Sequence, residues 1–524
     1  MQRQRKTARQ ARVGDGTGVL RARLRAGPIV RWRRRGVAPI VTWALWLALA
    51  APATQAQTAA EDLLLPRAPL GAASPFGASA PLGAAAAQEG GPGATLRSPD
   101  SYGQNWRLLR TLAEIEGFNL VMTTFGRAFF TEGAEGFKVS LESIHENLKA
   151  GFEWDDNTFS ANNFRHPYQG GMYYGAARSN HYDFYQSSAF SFAGAWLWEY
   201  TGENHHPSVN DWINTAVGGI AFGEALYRLS TMVLDNTATK GRVWHEIGGF
   251  AVSPTRGVNR LLTGEAFEVH ANPPDRIPEH LGGSFRFGSR TIGDERLWER
   301  STSKLFVSFD ASYGSPFADR PMKPFDHFDF GMQLNFDNKP HGIGRIEISG
   351  ILGALTVSES PKAKHVLAAY QHFEYLDNES YVYGGQSIGA SYLTRFTGRE
   401  GIETRALLNV NAILLGATKS DHFNISGRQY DYGPGLGFEF EAVFAHKGRD
   451  ILTLGHASNL VHSVNGNEVE SYTNFTHVKF LVPVRSFFGA GAEFLLYNSR
   501  RDYARYPDVN QRSPELRLYA SWGG

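Results

Sequence analysis

The C-terminal half of the chain alternates between apolar and polar residues over segment after segment. From Phe328 to Phe336 every second residue is apolar, with Asp, Gly, Gln and Asn between them. The same period of two recurs over residues 305–313, 436–444, 488–496 and 516–522. Many of these segments exceed the roughly 5–6 residues of an ordinary soluble strand. Long strands with one apolar and one polar face are typical of transmembrane barrels, whose apolar side chains face lipid while polar ones face a wet lumen. We therefore predict an antiparallel outer-membrane β-barrel of about 12 strands over residues 282–524.

A large soluble β-sandwich is the alternative to the barrel, since its strands also alternate. Strand length and an aromatic content of 13% favour the barrel, because aromatic side chains form girdles at the membrane interfaces. One feature departs from many bacterial barrels, which end on an aromatic residue: here Trp522 is followed by Gly523 and Gly524.

Between residues 104 and 265 the apolar period is that of a helix. Trp106, Leu109, Leu112 and Ile115 recur at helical spacing. A helix over 211–234 is indicated by Ser208 with Asp211 three residues later, the arrangement of a capping box. We predict an α+β protein in which a helical domain over 104–265 precedes the barrel and plugs its lumen or caps its periplasmic mouth.

Small residues form stripes along two of the predicted helices. Thr215, Gly219 and Gly223 lie four residues apart, and so do Ser187, Ser191 and Ala195. Small side chains at this spacing let two helix backbones approach closely. The stripes predict a tightly packed αα-hairpin over 183–234.

Charge is distributed unevenly along the chain and indicates export. Residues 1–56 hold eleven Arg, Lys6 and a single acid, Asp15, so the net charge of +1 leaves the remainder near −10. An apolar run over 37–51 follows the arginines and ends in small residues, which is the order of a signal peptide. A single inner-membrane anchor is the alternative. We predict a signal peptide over 1–56 and a disordered Ala-, Gly-, Pro- and Ser-rich linker over 57–103.

These features define the expected setting. The acidic mature chain argues against nucleic-acid binding, which requires Lys and Arg to meet phosphates. The chain has no cysteine, so disulfides and thiol chemistry are excluded. We predict location in the cell outer membrane, with outer-membrane lipid as a partner, the barrel-assembly machinery as a partner during biogenesis, and no cofactor.

The densest run of unusual residues lies between 154 and 228. It contains Trp154-Asp155-Asp156, Asn163, His166-Pro167-Tyr168, Tyr173-Tyr174, Ala177-Arg178-Ser179, Trp198-Glu199-Tyr200, Glu203, Ser208, Asp211, Gly218-Gly219, Gly223-Glu224 and Arg228. This pattern resembles the bacterial family known as domain of unknown function 3943, over roughly residues 150–235. The resemblance implies an envelope protein of diderm bacteria and implies no reaction.

Six polar residues of this run are candidate site residues. They are His166, Arg178, Glu199, Glu203, Glu224 and Arg228. Glu224 and Arg228 are four residues apart, which predicts a helical ion pair.

Four roles are open for these residues. His166 with Glu199 or Glu203 could activate Ser179, Ser187 or Ser188 in a lipid esterase or acyltransferase, although no G-x-S-x-G motif occurs. Asp155, Asp156, His166 and a glutamate could hold a hard metal ion, although no HExxH motif occurs. Arg178, Glu224 and Arg228 could form a binding site for an anionic lipid headgroup. The fourth role is a buried structural network of capping residues and ion pairs.

We expect a non-enzymatic barrel for transport or envelope maintenance. The main alternative is a lipid-modifying outer-membrane enzyme that uses the polar residues of the helical domain. A soluble periplasmic binding protein is the third.

Overall fold

The computed structural model describes residues 104–129, 134–299, 301–336, 342–378, 381–422, 428–485 and 487–523. The predicted signal peptide and linker lie outside these ranges.

Helices fill the first part of the described chain. The α-helices are α1 Gln104–Phe129, α2 Leu141–Ala150, α3 His166–Ser179, α4 Phe184–Thr201, α5 Val209–Ile213, α6 Gly219–Val233, α7 Arg242–Val252 and α8 Pro254–Thr263. Two π-helical segments, Ala161–Arg165 and Asn214–Gly218, lead into α3 and α6. Short 3-10 turns occupy Ala134–Phe137 and Glu265–Phe267. We refer to these elements together as the helical unit. None of the described helices combines the length and the apolar character needed to cross a bilayer.

Twelve antiparallel strands follow and close into a barrel. They are β1 Leu281–Ile292, β2 Thr302–Tyr313, β3 Phe328–Phe336, β4 Ile343–Glu359, β5 Ala363–Asp377, β6 Val382–Thr397, β7 Ile402–Lys419, β8 Tyr430–His446, β9 Arg449–His462, β10 Val469–Arg485, β11 Phe488–Tyr503 and β12 Val509–Gly523. Each strand pairs with its sequence neighbours, and β1 pairs with β12, for example Phe285 with Trp522. The predicted fold class is confirmed, and the β-sandwich is excluded because the sheet has no free edge.

The two ends of the barrel differ in their connections. At the end where β1 begins and β12 finishes, most links are short, such as 447–448 between β8 and β9. The exception is the segment 314–327. At the other end most links are longer, for instance 293–301 and 420–429, and the shortest is 378–381. We call these the turn end and the loop end. In outer-membrane barrels the short turns face the periplasm and the long loops face outward.

Alternation along each strand separates a lumenal face from an outward face. On β2 the even-numbered residues from Phe306 to Ser312 point inward, and Arg286 of β1 bonds Asp310 inside the lumen. The odd-numbered residues point outward, where Leu305 and Phe309 are exposed. Exposed apolar side chains line the outward face of strands around the barrel, as a lipid-facing wall requires. The protein is thus an outer-membrane β-barrel.

The helical unit packs against the outward face of this wall. Phe222 of α6 sits in one apolar core with Phe330, Ile348 and Phe373, which are outward-facing residues of β3, β4 and β5. Gln371 Nε2 of β5 donates to the carbonyl of Val217 at 2.9 Å. The expectation of a helical plug or a periplasmic cap is therefore wrong. The alternation showed an apolar outer face, but it could not show that helices, rather than lipid, cover part of it.

The predicted hairpin over 183–234 forms only in part, because α3 supplies the closest partner of α6. Gly219 of α6 faces Gly170 of α3 so closely that a Cβ on Gly219 would lie 2.5 Å from the Gly170 carbonyl carbon. The small residues of α4 also contact this helix pair, since Ser191 Oγ donates to the Ala216 carbonyl, just before α6, at 3.0 Å. Small residues at this spacing thus let three helices meet, rather than two.

Gly170→Ala is expected to destabilise the helical unit by roughly 1–3 kcal/mol, the usual cost of overpacking. A Cβ at this position would lie 1.8 Å from the Thr215 carbonyl oxygen, so α3 and α6 would have to separate. Thermal unfolding of the helical signal measures the effect. Gly117→Ala in α1 is the matched control, because its Cβ meets nothing within 4 Å. We expect the control to be neutral or to stabilise by about 0.5–1 kcal/mol. Equal effects of the two changes would contradict the close packing.

Candidate functional site

Three of the predicted site residues meet in one buried centre at the start of α3, which we call the His166 centre. It comprises His166, Glu199, Glu203 and Asp211. His166 Nδ1 lies 3.1 Å from Thr215 Oγ1, and its Nε2 lies 3.7 Å from Asp211 Oδ1. The backbone N–H of Ser208 donates to Glu199 Oε2 at 2.7 Å. Ser208 caps α5, because its Oγ accepts from the Asp211 N–H at 3.3 Å. In the predicted capping box the Asp211 carboxylate would accept from the Ser208 N–H, but the Glu199 carboxylate does so instead.

Burial governs ionisation in the His166 centre. It raises the pKa of Glu199 and of Asp211 well above their ordinary values, and repulsion adds to both rises, from Asp211 at Glu199 and from Asp155 at Asp211. It also raises the pKa of Glu203 to about 7 and lowers that of His166. The centre therefore favours neutral side chains that exchange hydrogen bonds.

The hydrolase that was the alternative role for this centre is not assembled around the candidate serines. Ser179, Ser187 and Ser188 donate to backbone carbonyls of their own helices or of the turn before them, at 2.6 Å, 3.5 Å and 2.8 Å. The ring nitrogens of His166 face Thr215 and Asp211 instead. The predicted metal site gains no support either, since the described ranges contain no group of three or more His, Asp or Glu side chains placed to hold an ion.

Stability of the helical unit is expected to fall as the pH rises from about 4.5 to about 7. The pKa of Glu203 is raised on folding, so the folded state keeps a proton that the unfolded chain releases. We expect the helical unit to melt at a lower temperature at pH 8 than at pH 5. The free energy of unfolding should be smaller at pH 8 by an amount on the order of 1–3 kcal/mol. Glu203→Gln should flatten this dependence, whereas exposed Glu146→Gln should leave it unchanged. An unaltered pH profile in the Glu203 variant would show that the carboxyl does not titrate as described.

The other predicted residues form a second centre, the Glu224 centre, made of Tyr174, Arg178, Glu224 and Arg228. Glu224 is fully buried and accepts from Arg178 at 2.7 Å and 3.1 Å and from Arg228 at 2.8 Å. The Tyr174 hydroxyl donates to the same carboxylate at 2.8 Å. The predicted i,i+4 pair of Glu224 and Arg228 is present.

The geometry of the Glu224 centre is that of a structural network. Both guanidinium groups are engaged with Glu224, so a lipid headgroup would have to displace a buried carboxylate. The two centres are also distinct, because His166 and Arg178 lie twelve residues apart on α3, or about 18 Å along the helix.

The lumen contains a site that the sequence did not single out. A cavity of about 300 Å³ lies inside the barrel. Its lining runs from Tyr381 and Tyr383 near the loop end to Gly282 and Arg449 near the turn end. A volume of this size accommodates a small organic molecule.

Carboxylates predominate in the lining of this cavity. Eight line it: Asp310, Asp329, Glu347, Glu374, Glu439, Glu441, Asp450 and Glu493. Four Lys or Arg side chains line it: Arg286, Arg345, Arg449 and Lys479. With the histidines neutral, eight negative and four positive charges give a formal lining charge of −4. Glu374 of β5 and Glu439 of β8 repel one another across the lumen, and neither has an ion pair among the described residues.

Several neutral polar groups in the cavity lack a hydrogen-bond partner in the described chain. They are the hydroxyls of Tyr370 and Tyr383, both ring nitrogens of His477 and Asn411 Oδ1, all buried atoms. A buried polar group without a partner costs about 1–3 kcal/mol, so these atoms favour a polar guest.

An apolar layer closes the lumen on the loop side of the cavity. The rings of Tyr381 and Tyr497 lie 5.1 Å apart between centroids. The other members of the layer are Ile292, Leu376, Tyr383, Ile413, Val461 and Leu495, all buried. Because these residues come from strands on opposite sides of the barrel, the layer spans the lumen.

Part of this site can be predicted from the sequence. Glu439 and Glu441 alternate with Phe438 and Phe440, so their inward direction follows from the period of two. Their meeting with Glu374 depends on which strands lie opposite in a closed barrel. That information requires the strand count and register, which a single sequence does not give.

Comparison with known proteins gives matches to a family and to solved structures. A family described as "Domain of unknown function (DUF3943)" matches residues 151–255, which confirms the predicted resemblance and places it within the helical unit. A search of curated proteins gave no match.

Several solved structures of outer-membrane proteins resemble the chain at low identity. The NanC porin is 9% identical, with a TM-score of 0.25, covering 46% of this chain and 99% of its own. The outer-membrane channel DcaP of Acinetobacter baumannii is 11% identical, with a TM-score of 0.20, covering 47% and 96%. The COG4313 outer membrane channel from Pseudomonas putida F1 is 9% identical, with a TM-score of 0.23, covering 48% and 99%.

Proposed function

We propose that this outer-membrane barrel takes up a small, positively charged solute, and that the lumenal cavity is the site where the solute binds. The observation that carries the proposal is the formal lining charge of −4 in a cavity of about 300 Å³. A cation in such a cavity gains Coulomb energy that is screened less than at an exposed surface. The same carboxylates would repel an anion of the same size.

Glu374 and Glu439 are the residues that we assign to the charged group of the solute. They approach the lumen from β5 and β8 and have no ion-pair partner among the described residues. An ammonium or guanidinium group between them would relieve their repulsion and supply the missing hydrogen-bond donors. The unpartnered hydroxyls of Tyr370 and Tyr383 would serve the neutral part of the same molecule.

The apolar layer supports controlled rather than open passage. The Tyr381–Tyr497 contact blocks the path between the cavity and the loop end. Tyr381 directly precedes β6, so a displacement of its side chain would open one side of the layer. Uptake would then require two steps, opening of the layer and release from the acidic cavity.

Outer-membrane lipid is the partner that we propose for the exposed surface. Apolar side chains are exposed on the barrel wall, and also on α7, where Val243, Trp244 and Ile247 are more than two-fifths exposed. An apolar surface of this extent is unusual in a monomer that faces water alone. The helical unit then replaces lipid over part of the wall and presents its own apolar side chains to the surroundings.

Calorimetric titration of the detergent-solubilised full chain tests the proposal. The probes are 1,4-diaminobutane as the cation and succinate as an anion of similar length. We expect the diamine to bind and succinate not to bind. Glu374→Gln and Glu439→Gln should each weaken diamine binding by at least about tenfold, or about 1.4 kcal/mol.

Exposed Glu468→Gln is the matched control, because this carboxylate lies in a loop and pairs only with exposed Arg505 at 3.7 Å. It should leave binding unchanged. Equal binding of succinate, or loss of diamine affinity in the Glu468 variant alone, would refute the assignment of the cavity.

A further inference from the structure

A serine, a histidine, a threonine and an asparagine form a hydrogen-bonded group on the outer wall of the barrel. His456 and Ser458 lie two residues apart on β9, so both point to the same side of the sheet. On β10, Thr476 is directly opposite His456, and Asn474 is directly opposite Ser458. The side is the outward one, because the preceding residue Gly455 faces the lumen: a Cβ on it would lie 2.2 Å from the ring of His477, which lines the lumenal cavity.

The distances are those of a nucleophile beside a base. Ser458 Oγ lies 2.9 Å from His456 Nε2, and Thr476 Oγ1 lies 2.8 Å from His456 Nδ1. When Nδ1–H donates to Thr476, the unprotonated Nε2 faces the serine hydroxyl. This is the geometric relation of nucleophile, base and orienting group by which serine hydrolases are recognised.

Asn474 completes the group. Ser458 Oγ donates to Asn474 Oδ1 at 2.6 Å. If the Asn474 amide turns by 180°, its N–H group instead of its oxygen faces Ser458 Oγ. The serine hydroxyl then donates its proton to His456 Nε2. The amide N–H is then placed to stabilise a negatively charged oxygen on a carbonyl attacked by Ser458.

The surroundings identify the substrate class. Phe440 lies opposite His456 on β8, and Phe438 lies opposite Ser458. Both phenylalanines are about two-fifths exposed on the lipid-facing wall. The four hydrogen-bonded polar side chains do not improve the contact between the barrel wall and lipid acyl chains. Polar side chains that face lipid cost free energy. A molecule that reaches them carries an ester within a largely apolar body.

We propose that Ser458 and His456 form a hydrolase site for acyl esters of membrane lipids. Ser458 Oγ bonds to the ester carbonyl carbon while His456 Nε2 takes its proton. The bond from that carbon to the alcohol oxygen then breaks, and the alcohol leaves with the proton from His456. Water, deprotonated by His456, attacks the acyl-serine and releases a fatty acid and the free serine. Thr476 is a positioning residue that acts through the ring of His456.

The side chains of His456 and Ser458 point to the opposite face of β9 from Gly455, which faces the lumen beside His477. The candidate serines of the helical unit, Ser179, Ser187 and Ser188, take no part in this site, because each donates to a backbone carbonyl of the helical unit.

Labelling of the detergent-solubilised full chain with a fluorophosphonate probe, together with fatty-acid release from phosphatidylethanolamine in mixed micelles, tests the proposal. We expect the probe to modify Ser458, as located by peptide mass. Ser458→Ala should abolish labelling and reduce hydrolysis by at least about 1000-fold. Ser303→Ala is the matched control, because Ser303 is an exposed serine on β2 that pairs with Thr291 at 2.8 Å instead of a histidine. It should retain full activity.

Two further variants separate chemistry from folding. His456→Gln should lose labelling while the protein keeps the heat-modifiable gel mobility of a folded barrel. Thr476→Val removes the hydroxyl that bonds His456 Nδ1 and should lower the turnover number. Thr476→Ser keeps the hydroxyl and should retain the turnover number, whereas a purely structural role would not make activity depend on the hydroxyl. Labelling that persists in Ser458→Ala, or hydrolysis that survives both Ser458→Ala and His456→Gln in folded protein, would overturn the proposal.

Discussion

Replacement of Tyr381, Tyr383 and Tyr497 by alanine is expected to convert a closed barrel into one that conducts ions. The three rings form the centre of the apolar layer, and the Tyr381–Tyr497 contact bridges the lumen at 5.1 Å between centroids. Their removal leaves a gap above a polar cavity of about 300 Å³, which water would then enter. In planar lipid bilayers the wild-type protein should show no stepwise current, and the triple variant should show discrete channels.

The control for this experiment removes two tyrosines from the outward face of the barrel. Tyr392 of β6 and Tyr472 of β10 point outward and are about two-fifths exposed. Their replacement by alanine should leave the barrel closed. Each buried Tyr→Ala change costs about 3–5 kcal/mol, so heat-modifiable mobility must first establish that the triple variant is folded. Channels in wild-type protein, or none in a folded triple variant, would contradict the assignment of this layer as the barrier.

Glu224→Gln is expected to destabilise the helical unit by about 3–5 kcal/mol, the range for removal of one partner from a buried ion pair. Burial opposes ionisation of Glu224, yet Arg178 and Arg228 lower its pKa to about 2. The substitution leaves two largely buried guanidinium groups facing a neutral amide. Arg228 also donates to the Pro324 carbonyl at 3.0 Å, in the 314–327 segment at the turn end. The change therefore weakens the attachment of the helical unit to the barrel as well.

Limited proteolysis measures this effect most clearly. The helical unit of Glu224→Gln should be cleaved faster, whereas the barrel should keep its heat-modifiable mobility. Glu146→Gln, at an exposed position of α2, should behave like the wild type. Because the pKa of Glu224 is lowered on folding, its contribution is present above about pH 4.5 and is lost as the pH falls toward 2. Unchanged protease resistance in Glu224→Gln would show that this network does not hold the unit in place.

Much of the barrel follows from the sequence, since the period of two determines which side of each strand is apolar. Phe328 and Phe330 were expected to face lipid, and they do point outward. They pack on the helical unit because local alternation carries no information about what covers a face. The Glu224–Arg228 pair follows from helical spacing, but Arg178 joins it from another helix, and a single sequence does not give that contact.

The candidate sites depended even more on tertiary structure. His166, Glu199 and Glu203 do come together, but burial makes them a hydrogen-bonded network, and the candidate serines 179, 187 and 188 bond to backbone carbonyls instead. The His-x-Ser spacing of residues 456 and 458 was visible in an alternating strand and placed both side chains on one face. Only the register with β10 adds Thr476 and Asn474 to them.

A crystal structure of the full chain grown with 1,4-diaminobutane tests most directly whether the lumenal cavity accepts a small cation. We expect one ammonium group of the diamine within hydrogen-bond distance of the carboxylates of Glu374 and Glu439, below the Tyr381–Tyr497 layer. Diamine bound only outside the barrel, or a cavity that excludes it at saturating concentration, would contradict the proposed binding site.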